Sequence, residues 1–319
     1  MTQPTVLLLT PMLPVTRAAL DDRFDLVALA DAEDKEARLA KVADRVRAIA
    51  MFADGRVDGA LMNRLPKLEI VSVFGVGYDG VDAAEAARRG ILVTNTPDVL
   101  TDEVADTAMA LTIMTVRRLG AAERYLRAGQ WTAKGPFPLT PGSLVGATMG
   151  ILGLGRIGRA VAARASAFGL KIAYHGRSRQ DVPYAYYDSP AALAEASDIL
   201  MIATPGGAET RHLVDADVLK ALGSRGYLVN IGRGSTVDET ALAAALEAGT
   251  IAGAGLDVFA EEPQVPEALL GRDDVVLLPH VASASLPTRT AMGQLMVDNL
   301  SAWFESGRVL TPVPETPRP

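Results

Sequence analysis

Three polar residues, far apart in the 319-residue chain, have the chemistry of a carbonyl-reducing site. They are Arg233 in VNIGRGSTVDE, Glu262 in LDVFAEEP and His280 in VVLLPHVASAS. A guanidinium can fork onto a substrate carboxylate and polarise the neighbouring carbonyl. An imidazole can give a proton to the carbonyl oxygen as hydride reaches carbon two, and take it back in the oxidative direction. A carboxylate touching that imidazole would hold its tautomer and stabilise the imidazolium form. Taken singly, each residue has a blander reading: a loop-capping arginine, a surface glutamate before proline, a structural histidine. Their joint placement favours chemistry. Each follows an apolar run with the character of a β-strand, Leu228–Ile231, Ile251–Leu256 and Val275–Leu278. Ligands of open α/β sheets bind beyond the carboxyl ends of such strands. The trio suits reduction of a 2-oxo acid to a 2-hydroxy acid. His212, in ETRHLVD, has no comparable partner and reads as structural.

A hydride source is encoded between Thr148 and Arg179. The apolar run Met149–Leu152 ends in Gly153, Gly155 and Gly158, an alanine-rich helical pattern follows, and Lys171–Tyr174 reads as a second strand. This is the order a dinucleotide fold requires. Gly153 permits the tight turn, Gly155 lets backbone approach a pyrophosphate, and Gly158 allows close packing of helix on sheet. The first helical N–H groups then face the phosphates. An NAD site normally has Asp or Glu at the end of the second strand, on the ribose hydroxyls. Here the residues are His175, Gly176, Arg177, Ser178 and Arg179. No carboxylate repels a 2′-phosphate, and two guanidiniums and a hydroxyl can bind one. The expected cofactor is NADP(H), with NAD(H) as the alternative.

The elements that must position these groups alternate. Strand-like runs Val6–Thr10, Asp25–Leu29, Val46–Ala50, Ile70–Val73 and Ile91–Val93 are separated by amphipathic stretches such as Thr16–Leu20, Asp34–Val42 and Val81–Arg89. That pattern predicts a parallel sheet covered on both faces. One long helical run from Thr101 carries Asp102 and Glu103 at its start and Arg117, Arg118 and Arg124 toward its far end, an order suited to the helix dipole. The Pro/Gly-rich segment Gly135–Gly146 stops it. The βα alternation then resumes, including a strand at Ile199–Ala203. A last helix, Ser285–Ser306, is expected to pack back on the first unit. The domains expected are therefore 1–99 with 286–319, for substrate, and an inserted 100–285, for the dinucleotide.

Composition removes other classes. The formal charge of −7 argues against general binding of nucleic acid or anionic membranes. With no cysteine and three histidines, disulfides and thiolate or histidine-rich metal centres are not expected. The apolar run in MTQPTVLLLTPMLP is short and lacks a basic flank, so it reads as a strand rather than a signal peptide, and a cytoplasmic location is expected.

The phrases FGVGYDGVD, DEVADTAMAL, GILGLGRIGRAVA, NIGRGSTVDE, GAGLDVFAEEP and LLPHVASAS together resemble the D-2-hydroxyacid dehydrogenase family nearly end to end. HGRSR resembles its NADPH-dependent glyoxylate/hydroxypyruvate and hydroxyphenylpyruvate reductase branch. The resemblance implies an α/β fold of two doubly wound domains, Rossmann-like and flavodoxin-like, with parallel sheets and the active site in the cleft between them. It implies Arg233 as substrate anchor, Glu262 rather than Glu261 as the histidine's partner, and His280 as proton donor. It further implies that the amides of Val76 and Gly77 bind the substrate carboxylate, and that Thr107 and Asp257 lie against the nicotinamide. Leu154, Arg156, Ile157, Thr204, Pro205 and Ile231 would line the rest of the cofactor groove. A homodimer joined through the nucleotide domain is implied as well, with Phe137 and Leu139 as candidates to reach the partner's site. Reductases of bulkier acids (hydroxyphenylpyruvate, 2-ketogluconate) are the near alternative, with Phe74 and the loop around Phe137 setting pocket size. A nucleotide-sensing corepressor of the same fold is the non-enzymatic one.

Overall fold

Short β-branched runs in the first hundred residues pair side by side, all parallel. They are β1 (Thr5–Leu8), β2 (Asp25–Ala28), β3 (Val46–Phe52), β4 (Ile70–Phe74) and β5 (Leu92–Thr94), in the order β2-β1-β3-β4-β5. That is the doubly wound order of flavodoxin-like sheets. The computed structural model describes residues 3–316. The chain forms two units, Met1–Leu100 with Ser285–Pro319, and Thr101–Ala284. Residues 1–2 and 317–319, within the first domain expected from the sequence, lie outside the described residues.

In the first unit, α1 (Pro14–Arg23), α2 (Lys35–Ala40), α3 (Gly59–Arg64) and α4 (Ala83–Arg88) follow successive strands. Asp34, Asp58 and Asp82 cap the last three of these helices, each accepting a backbone amide at 2.9 Å. The C-terminal helix, Leu286–Ser306, starts at Ser285, whose hydroxyl accepts the Thr288 amide, and returns to this unit. One face of the sheet is packed with Leu7, Ile49, Met51, Val71 and Val73. The ring of Phe74 is buried against Phe52, 4.4 Å between centroids, and the Arg289 guanidinium lies 5.7 Å from both rings.

The second unit begins with α5 (Thr101–Val116), α6 (Leu119–Arg127) and α7 (Gln130–Lys134). Here the single long helix expected from the sequence is corrected. Arg118 takes a left-handed backbone (φ 48°, ψ 39°), so the helix ends at Val116 and a new one begins. No basic residue lies in the last turn of α5. Arg124 instead pairs with Asp273 at 2.7 Å. Strands β6 (Thr148–Leu152), β7 (Lys171–His175), β8 (Ala185–Tyr186), β9 (Ile199–Ile202), β10 (Tyr227–Asn230), β11 (Gly253–Leu256) and β12 (Val275–Leu277) form one parallel sheet. Its order is β12-β11-β10-β9-β6-β7-β8. The crossover helices are α8 (Arg156–Ala167), α9 (Pro190–Glu195), α10 (Ala216–Leu222) and α11 (Glu239–Glu247). The order reverses beside β6, so the glycine turn after β6 stands at the switch point, where such sheets bind nucleotides. Leu152, Leu200, Ile202, Leu228 and Leu256 contribute to the core.

Candidate active site

Three neighbouring strands, β10, β11 and β12, end within a few residues of Arg233, Glu262 and His280. The Arg233 loop is shaped from below by Asn230, which is buried. Its amide nitrogen donates to the Arg233 carbonyl at 2.9 Å, and its oxygen accepts the Gly232 amide at 3.0 Å. A side chain on Gly234 would collide with the Phe259 carbonyl carbon at 1.8 Å, so the Arg233 loop and the segment after β11 touch backbone to backbone.

Glu262 is held at both oxygens. Oε1 accepts the Phe259 amide at 3.0 Å, and Oε2 is 2.7 Å from His280 Nδ1. The two side chains remain 35% and 45% exposed, enough for a substrate to reach them. An apolar cavity of 230 Å³, walled in part by Phe259, Val265, Leu270 and Leu277, borders the pair. Such a lining strengthens charge interactions beside it. Burial pushes the Glu262 carboxyl up. The hydrogen bonds from His280 and Phe259, and the charges of His280 and Arg233, outweigh that and hold it below the usual carboxylate range. With Nδ1 facing a carboxylate, Nε2 is the ring nitrogen left for a reacting oxygen.

His280 has a left-handed backbone, φ 53°. Asp257, fully buried, fastens the turn. Its carboxylate accepts the amides of Val281 and Ala282 at 2.8 and 2.9 Å, and its carbonyl accepts the His280 amide at 2.8 Å. Burial pushes the Asp257 carboxyl up, against the lowering effect of those amides. Thr107 reaches the same turn, its hydroxyl donating to the Ala282 carbonyl at 3.2 Å.

The glycine turn fits a dinucleotide. Gly153 has φ 92°, and a Cβ there would strike Thr204 at 2.8 Å. A Cβ on Gly158 would fall 2.2 Å from the Gly153 carbonyl oxygen, whereas one on Gly155 would meet nothing within 4 Å. Open space thus lies where a pyrophosphate would sit, at the start of α8, whose first turn has no side-chain cap. The buried Thr204 hydroxyl, near the turn, has no hydrogen-bond partner among the described residues. Leu154 is buried and Ile157 half-buried, while Arg156 and Pro205 are exposed; Ile231 is buried one residue past β10. Arg177, Ser178 and Arg179 are exposed beyond β7, and neither arginine forms an ion pair among the described residues.

Val76 and Gly77 belong to the first unit, in the loop after β4. Asn95 holds the Val76 carbonyl at 2.7 Å, and the Thr96 hydroxyl holds the Gly75 amide at 3.0 Å. The Val76 and Gly77 amides donate no such hydrogen bond among the described residues. Among those residues, no cluster of His, Asp and Glu suits a metal ion, and no helix is long and apolar enough to cross a membrane.

Residues 109–282 match the model of the D-isomer specific 2-hydroxyacid dehydrogenase, NAD binding domain. The chain belongs to this family. It is an oxidoreductase, and its second unit carries the NAD-binding fold. Glyoxylate/hydroxypyruvate reductase A of Arabidopsis thaliana is 47% identical over 309 residues, covering 97% of this chain and 98% of the relative. Hydroxyphenylpyruvate reductase of Plectranthus scutellarioides has the same identity and coverage. An NADPH-dependent glyoxylate/hydroxypyruvate reductase from Sinorhizobium meliloti, solved in complex with NADP and malonate, is 53% identical with a TM-score of 0.94, covering 99% of this chain and 98% of that one. Sequence reasoning missed Asn230 and the stapling role of Asp257; a polar residue inside or just past an apolar strand was their signal.

Proposed function

We propose that this dehydrogenase reduces small 2-oxo acids, glyoxylate and hydroxypyruvate first, to 2-hydroxy acids with NADPH. The observation that carries the reading is the 2.7 Å His280–Glu262 pair at the carboxyl edge of a dinucleotide-binding sheet. The names of the Arabidopsis and Sinorhizobium relatives support the substrate class and the cofactor. Arg233 holds the substrate carboxylate; Val76 and Gly77 keep their amides as the first unit's proposed substrate donors. His280 gives its Nε2 proton to the carbonyl oxygen, and Glu262 holds the ring while that proton leaves. The cofactor is held by the turn Gly153–Gly158 with Leu154, Arg156 and Ile157, and by Thr204, Pro205 and Ile231. Thr107 and Asp257 serve its nicotinamide end, and Arg177, Ser178 and Arg179 its 2′-phosphate. NADPH supplies, when bound, the hydride that reaches carbon two.

The test is a panel of glyoxylate, hydroxypyruvate, hydroxyphenylpyruvate and 2-ketogluconate, compared by kcat/KM with NADPH and NADH. Glyoxylate and hydroxypyruvate with NADPH are expected to lead. Absence of turnover with every acid and either cofactor would refute the reading. Dominance of hydroxyphenylpyruvate would install the second reading, which the equal identity to that reductase favours. His280→Ala is expected to abolish reduction and spare cofactor binding.

The working form proposed is a cytoplasmic homodimer joined through the second unit. Trp131, Leu139 and Val145, close in sequence, are 62%, 99% and 87% exposed. Large exposed apolar side chains favour a partner surface. Leu139→Asp is expected to yield a monomer in light scattering; an unchanged dimer would place the interface elsewhere.

A further inference from the structure

Glu239 starts α11, where an acidic side chain suits the helix dipole. A dipole role needs no partner outside the helix. Glu239 nevertheless reaches the segment after β11, and its Oε1 accepts the Ala260 amide at 2.9 Å. It is half-buried there, and burial pushes its carboxyl up.

The peptide it grips joins Phe259 to Ala260. Gly234 presses on the same peptide, with room for no side chain: a Cβ would come within 2.2 Å of the Ala260 nitrogen. On the other side, the Phe259 amide is the donor that fixes Glu262 Oε1. The next turn is closed by the Gln264 amide on the Glu261 carbonyl at 2.8 Å. One carboxylate therefore joins the segment that carries Arg233 to the turn that carries Glu262.

We propose that Glu239 is a positioning residue, acting through Ala260 and Phe259 to aim Glu262 at His280. The proposal rests on the oxidoreductase reading above. Without the Glu239 acceptor, the Ala260 amide turns toward water, the Phe259–Glu262 turn relaxes, and the His280 ring loses its fixed partner. Displacements of about 1 Å around a catalytic group can cost on the order of a hundredfold in rate.

The experiment compares Glu239→Ala, which removes the acceptor, with Glu239→Gln, which keeps an oxygen for Ala260. Turnover of glyoxylate with NADPH is followed beside cofactor affinity by fluorescence titration. Glu239→Ala is expected to lower kcat about tenfold or more, leave cofactor Kd and KM near the parent values, and be largely rescued in Glu239→Gln. In a cycle with Glu262→Gln the two losses are expected not to multiply, because one acts through the other. Multiplying losses, or a Glu239→Ala enzyme with parental kcat, would overturn the proposal. A second readout needs no substrate: the downfield proton signal of the His280 Nδ1–Glu262 bond should vanish in Glu239→Ala and persist in Glu239→Gln. If the parent protein turns over no 2-oxo acid, the functional reading fails, and this signal still decides whether Glu239 positions the pair.

Discussion

The His280 amide donates to the carbonyl of Asp257 at 2.8 Å, while the two following amides converge on the Asp257 carboxylate. The histidine proposed to meet substrate is thus carried on a turn whose backbone is left-handed at His280. A non-glycine residue in that region costs on the order of 1–3 kcal/mol, and persists only where its surroundings over-determine it. Here one buried aspartate does so. Asp257→Ala would leave two amides without acceptors, a loss of about 2–4 kcal/mol. A fall in Tm and in turnover together is expected. A parental Tm would mean that other contacts hold the turn.

The glycines of the nucleotide turn separate folding from binding. Gly158→Ala drives a Cβ into a backbone oxygen, which cannot move aside cheaply. Loss of stability and of cofactor affinity together is expected, read by thermal melting and by fluorescence titration. Gly155→Ala meets open space and an ordinary backbone, φ −79°. Its Tm should stay close to parental while NADPH affinity falls, because the methyl occupies the phosphate's place. A stable Gly155→Ala protein with full affinity would remove the pyrophosphate from this turn.

Arg177 and Arg179 are expected to discriminate between the cofactors. A charge-assisted bond to phosphate contributes about 1.5–3 kcal/mol, so each Arg→Ala change should raise KM for NADPH about tenfold or more. KM for NADH, which has no 2′-phosphate, should stay near parental. Equal losses with both cofactors would show that these arginines shape the loop instead.

How much of this was legible in the sequence depends on the range of the interaction. The glycine turn was legible because strand, turn and helix are contiguous, and each glycine answers to a local steric demand. Arg233, Glu262 and His280 could be grouped because each lies just beyond an apolar strand, and parallel strands bring their carboxyl ends to one edge. The helix break at Arg118 was not legible: nothing in an apolar helical run announces one left-handed residue. Nor was the reach of Glu239 to Ala260 or the double grip of Asp257, since both join segments 21 to 25 residues apart through backbone amides, which every residue but proline possesses. The two-residue strand β8 is too short for any alternation to register.

The Glu262 carboxyl gives a pH prediction with a definite sign. Burial raises it, but the His280 and Phe259 hydrogen bonds and the nearby positive charges lower it further, below the ordinary value of 4.5. A carboxyl depressed on folding binds more protons unfolded than folded across that interval, so stability rises with pH there. Its contribution is present above the unfolded value and drains as pH falls through the folded one. The stability difference between the parent and Glu262→Gln should therefore shrink as pH falls below about 4.5. Asp257 has the opposite tendency, its carboxyl raised chiefly by burial, and that burial is common to both proteins. A difference that widened below about pH 4.5, measured by denaturant titration at each pH, would mean that the net environment of Glu262 disfavours its charge, and the ion-paired role argued for it would fall.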